Sequence, residues 1–166
     1  MRIGWVLSGI AATALAVPAV AALVEKKPPY FASIQAKEAR MRTGPGRIYP
    51  ISWNYVRPGL PVKVVDNFKE KGGGALWRKV EDPGGTQGWM QATLISDVRT
   101  AMVMGDIVEL RSEPRFAARV NWRAEPRVVG KVSKCSKGWC YFDVMGRGGF
   151  VEVSHLWGVA SDETIE

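Results

Sequence analysis

Hydrophobic positions in this chain recur every second residue rather than every third or fourth. Ile51, Trp53 and Tyr55 alternate with Ser52 and Asn54, and Val120, Trp122 and Ala124 alternate with Asn121, Arg123 and Glu125. That is the period of half-buried strands. A looser alternation over residues 33–41 predicts an opening strand, and the valine-rich run 60–65 predicts another. Arg42-Thr43-Gly44-Pro45-Gly46 and Arg57-Pro58-Gly59 are turn clusters that regular structure does not cross. KEKGGG, residues 69–74, reads as a mobile loop. Eighteen glycines and ten prolines leave few uninterrupted helical windows, so the predicted class is all-β.

The pattern occurs twice. Residues 77–94, WRKVEDPGGTQGWMQATL, form an apolar strand, a glycine-rich turn and a second strand opening on Gly88-Trp89; residues 139–156, WCYFDVMGRGGFVEVSHL, repeat the layout. Trp77 answers to Trp139, Val80 to Phe142, Gly88-Trp89 to Gly149-Phe150 and Leu94 to Leu156, at an offset of about 62 residues, a spacing that marks duplicated units. Two domains are expected, residues 33–100 and 101–160, joined near 97–105, with 161–166 as a flexible acidic tail. Units of this size bury a modest core and gain by packing together.

Before them, Met1-Arg2 leads into an apolar stretch, residues 3–24, that ends on small residues around Pro18 and Ala19-Val20-Ala21. A basic start, an apolar middle and a small-residue exit predict a secretory signal peptide over residues 1–22, followed by a linker over 23–32. The same stretch is long enough to stay in a bilayer, which leaves an uncleaved anchor as the alternative and that segment as the chain's one predicted membrane contact. Export predicts a periplasmic location.

The chain carries 23 Lys and Arg against 16 Asp and Glu, a net charge of +7, with 46% hydrophobic residues. The surplus attracts anionic partners. The basic residues are scattered from Lys26 to Arg147 without a basic run, as on a solvated surface.

The ordered motifs resemble the bacterial SH3-like domain family as a tandem pair. The residues concerned are the Arg-x-Gly-Pro turn 42–45, the Pro-Gly before a valine-rich strand (58–65), Trp77-x-x-Val80, and Gly88-Trp89 leading to Leu94. The Cys-x4-Cys hairpin, Cys135 to Cys140, and the Leu-Trp-Gly-Val ending, residues 156–159, look most like the exported two-unit version from Gram-negative bacteria. The resemblance implies two small, strongly bent SH3-like β-barrels, with Val80, Trp89, Phe142 and Phe150 as core and the glycines before Trp89 and Phe150 as barrel bends. Arg127 in place of a turn glycine, and Phe150 in place of tryptophan, are departures in the second unit.

Cys135 and Cys140 are expected to form a disulfide, as an exported chain meets an oxidising compartment. Zinc is the alternative, but with His155 as the single further soft ligand a structural site is one ligand short. His155 would also have to serve as base for any Cys or Ser nucleophile, so the reading is non-enzymatic, with no cofactor and no metal. Aromatics carry the functional expectation. Arg42, Tyr49, Tyr55 and Trp77 are the candidate ligand-binding residues, placed around the glycine turn of the first unit as an aromatic-lined groove; core packing is the competing role for such rings. The expected partner is a cell-wall peptide or peptidoglycan, or a periplasmic protein held by a scaffold without a groove of its own. Nucleic acid is not expected at an exported address.

Overall fold

The computed structural model describes residues 26–166, so the expected signal peptide, 1–22, and linker residues 23–25 lie outside the described residues. The alternating segments become short strands: β1 (Tyr30–Ile34), β2 (Ala39–Arg42), β3 (Ile51–Tyr55), β4 (Pro61–Lys69), β5 (Leu76–Glu81), β6 (Gln87–Gln91) and β7 (Ile95–Ser96). The second set is β8 (Thr100–Val103), β9 (Val108–Arg111), β10 (Val120–Ala124), β11 (Val129–Ser136), β12 (Trp139–Val144), β13 (Arg147–Glu152) and β14 (Leu156–Trp157). Each set makes one antiparallel seven-stranded sheet, ordered β3-β2-β6-β5-β4-β1-β7 and β10-β9-β13-β12-β11-β8-β14. The duplication therefore holds strand for strand. The expected all-β class, two tandem SH3-like barrels, is what the chain forms.

Each sheet curls round its own core. Ile34, Met41, Val62, Val64, Val80 and Met90 fill the first; Val103, Leu110, Phe142 and Val151 fill the second, together with the bonded pair Cys135 and Cys140. With the two sulfurs joined and buried, neither thiolate is free for zinc.

The structure corrects several expectations. The opening strand is two strands: β1 starts at Tyr30, inside the expected linker, and chain reversal separates it from β2. Trp89 and Phe150 are not core residues. They lie half-buried on the outer face, where Trp89 meets Phe68 at 6.3 Å between ring centroids and Phe150 meets Tyr141 at 5.3 Å. Strand alternation puts the preceding glycine inward instead. A Cβ on Gly88 would fall 2.5 Å from Met41 Cγ and 2.9 Å from the Arg42 carbonyl; one on Gly149 would fall 2.7 Å from the Leu110 carbonyl carbon. These glycines permit a close strand crossing rather than a bend. Pairing also aligns Ile95 with Leu156 and Leu94 with His155, one residue off the sequence match, since each three-residue 3₁₀ turn (Ala92–Leu94, Val153–His155) precedes the closing strand.

The C-terminal segment is docked rather than flexible. Arg99 ion-pairs with Glu163 and donates from Nη2 to the Gly158 carbonyl at 2.8 Å, while Ile165 bridges to Cys135. The Arg99 hydrogen bond is the main cause holding the Glu163 carboxyl below its usual range. Arg99 also lies over Phe31, which meets Trp157 edge-on at 5.3 Å, so one residue cluster joins both units and the tail.

Side-chain truncation separates inward from outward rings. Phe142→Ala is expected to cost about 3–5 kcal/mol, and Phe150→Ala less than half of that, in denaturant unfolding. Equal losses would return Phe150 to the core.

Candidate functional site

Strand β2 reads Ala39-Arg40-Met41-Arg42, with Ala39 and Met41 buried and both arginines facing outward. Arg42 Nη1 donates to the carbonyls of Tyr49 (2.7 Å) and Arg47 (3.1 Å), which clamps the loop that follows the strand. Within that loop Thr43 N donates to Pro50 O, Gly46 N to Gly44 O and Tyr49 N to Gly46 O. The second unit repeats this: Arg111 Nη1 donates to Ala118 O at 2.8 Å, with Ser112 N to Arg119 O, Arg115 N to Glu113 O and Ala118 N to Arg115 O. The loop shape thus survives without glycines. Gly44 has another purpose, because a Cβ there would sit 2.4 Å from Tyr49 Cδ1; the tyrosine ring lies on it. In the second unit both partners change together, glycine to Glu113 and tyrosine to Ala118.

The four candidate ligand residues separate. Arg42 is spent on loop carbonyls but borders a groove. Tyr49 is 40% exposed and lines it. Trp77 is buried at 2% exposure, its Nε1 donating to Glu70 Oε1 at 2.8 Å, so it forms the groove's floor rather than a ring a ligand can stack on. That bond also pins residues 69–74, which are not the free loop the sequence suggested: Glu70 Oε2 accepts from Ala75 N as well. Tyr55 lies apart, buried, with its hydroxyl donating to Asp82 Oδ2 at 2.8 Å. Burial first, and then Asp82, push its phenol well above the ordinary range. It is structural.

The groove has two lobes that meet at Arg47, Trp77 and Gln91. One, about 530 Å³, runs beneath residues 45–49 to Glu70 and Ala75; the other, about 380 Å³, is edged by Glu38, Arg40, Arg42 and Leu94. Arg40 and Arg47 were missed in the sequence, although the inward–outward alternation of Ala39-Arg40-Met41-Arg42 marks Arg40 as the outward neighbour of Arg42. The second lobe gathers three arginines against one carboxylate, Glu38, which Arg40 and Asn54 already engage.

The corresponding place in the second unit differs in space and sign. It holds about 250 Å³, with Glu109, Glu152, His155 and Arg111 on its walls. Phe116 takes the place of Arg47, meets Trp139 edge-on at 5.2 Å and lines the smaller groove while staying 67% exposed. Glu109 is bound to both Arg111 and Arg123. Among the described residues, no group of three or more His, Cys, Asp or Glu could hold a metal.

Paired small barrels, each with a clamped loop beside a groove, define a tandem SH3-like protein. The model of the bacterial SH3 domain family matches twice, over residues 35–97 and 104–158, and the chain belongs to that family. No curated protein matches the sequence. Among solved structures, NlpC1 and NlpC2 from Trichomonas vaginalis match at 9% and 10% identity with a TM-score of 0.34 each, over 80% of this chain and 46% and 49% of theirs. The chain spans about half the length of those two proteins, and a likeness this distant does not bear on the site.

Removing the clamp should free the loop without unfolding the barrel. Arg42→Ala is expected to raise hydrogen exchange at Thr43, Gly46 and Tyr49 roughly tenfold or more. Unchanged exchange would mean that the loop holds its own shape.

Proposed function

We propose that the chain is an exported, non-enzymatic binding module of the cell envelope whose ligand surface is the groove of the first unit, and that the ligand is the peptide part of peptidoglycan. One observation carries this reading: the same fold occurs twice, with a groove of two lobes (about 380 and 530 Å³) edged by three arginines in the first unit and a smaller one of about 250 Å³ with Glu109 and Glu152 on its walls in the second. Arg40 and Arg47 would meet ligand carboxylates, and the exposed face of Tyr49 would cover aliphatic parts at modest entropic cost. The second unit then acts as support. Periplasmic location and the absence of catalysis belong to the same proposal.

A scaffold role for a partner protein is the second reading, favoured by exposed apolar side chains on the first unit: Ile48 at 91%, Val56 at 73% and Trp53 at 56%. Such patches mark protein contacts.

Retention on purified sacculi separates the two. At about 0.5 M salt, where screening acts within roughly 4 Å, the chain should stay bound. Arg47→Glu with Tyr49→Ala should abolish retention, and Phe116→Ala should not. Loss of binding on adding salt, or full binding by the double variant, would remove the groove from the account. Release of wall fragments would overturn the non-enzymatic class.

A further inference from the structure

One cleft lies not on either barrel but between them. It encloses about 700 Å³, within the range of ligand sites, and domain junctions are where such sites concentrate. The first unit supplies Gln35, Arg57 and Pro58; the second supplies Val129, Lys131 and Met145. Val98, half-exposed, lies between the two sets.

The cleft is a fixed feature. Ser33 Oγ donates to the Val98 carbonyl at 2.8 Å, and Val98 N donates to Ser96 Oγ at 3.1 Å, which fixes the connecting segment. Across the junction, Phe31 meets Trp157, and Arg99 holds Gly158 and Glu163. Gly158 packs so closely that a Cβ would fall 2.5 Å from the Thr100 carbonyl and 3.2 Å from Pro61 Cβ, a first-unit atom. Neither barrel alone would have this cleft.

Its chemistry selects a ligand. The two walls present one cation each, Arg57 and Lys131, and neither makes an ion pair among the described residues. The one carboxylate, Asp143, already accepts from Gly146 N at 3.1 Å. Apolar surface comes from Val98, Val129, Val144 and Met145, the last 98% exposed at a hairpin tip, an unbranched side chain able to fold over a bound group. At Gly59 and Gly146, on opposite walls, the space where a Cβ would stand is empty, so a backbone can approach closely.

We infer that the cleft between the two barrels is a second binding site, which takes an extended peptide of a partner protein carrying acidic and aliphatic side chains. Carboxylates would meet Arg57 and Lys131, and aliphatic groups would lie on Val98 and Val129 beneath Met145. This site does not depend on the first-unit groove.

The test uses residues 26–166, which hold both barrels, labelled for NMR and titrated with acetyl-Glu-Val-Leu-Val-Glu-amide and with its lysine counterpart. The acidic peptide should shift amides on both walls, at Gly59, Val98, Gly130 and Gly146, and the lysine peptide should not. Arg57→Glu and Lys131→Glu should each weaken binding about tenfold, while Arg123→Glu, the same charge change outside the cleft, should have little effect. Equal weakening by Arg123→Glu would reduce the effect to net charge and overturn the site. Shifts confined to one barrel, shifts clustered at Arg40 and Arg47, or no shifts at millimolar peptide would overturn it as well.

Discussion

Each barrel closes where the strand after the first reversal crosses the last long strand of the sheet, and no side chain fits at that crossing. Gly88 lies against Met41 and the Arg42 carbonyl; Gly149 lies against the backbone of Leu110 and Arg111. At Gly149 the close atoms are all main chain, so the constraint is hard; at Gly88 the Arg42 carbonyl is the main-chain neighbour and the rest of the contact is the Met41 side chain. Everything functional hangs from it. The crossing sets where β2 and β9 end, the arginine at each end clamps the loop, and the loop makes one side of the groove. Duplication has kept this frame to the hydrogen bond while the side chains that face the groove have diverged.

The divergence is coordinated rather than random. Gly44 and Tyr49 form a small–large pair, and Glu113 and Ala118 reverse it without altering the loop's hydrogen bonds. Arg47 gives way to Phe116, which turns a basic opening into an aromatic contact with Trp139. A carboxylate replaces Arg40 at Glu109 and Gln91 at Glu152. One barrel is thereby left with a larger basic groove and the other with a smaller one walled by two carboxylates, which is how a duplicated fold can divide recognition from support.

The fold was largely legible because period-two alternation and turn clusters report backbone geometry directly. The repeat located the hairpins, and the two cysteines located their own bond. Which face of a strand points inward was harder to read. A tryptophan after a glycine looks like core, yet Gly88 rather than Trp89 occupies the interior, as only contact distances reveal. Of the candidate ligand residues, Arg42 and Tyr49 fell at the groove because the turn placed them there. Trp77 and Tyr55 did not reach solvent, since Glu70 and Asp82 hold them through bonds spanning 7 and 27 residues that no local pattern encodes. The docked tail is similar: Arg99 and Glu163 are 64 residues apart and read separately as surface charges.

The central claim is that two copies of one frame divide their labour, with recognition on the first. Amide shifts of the tandem chain on titration with soluble muropeptides test it most directly. Perturbations should concentrate at Arg40, Arg47 and Tyr49 and leave Glu109, Phe116 and Ala118 still. Equal movement in both loops, or movement in the second alone, would contradict it.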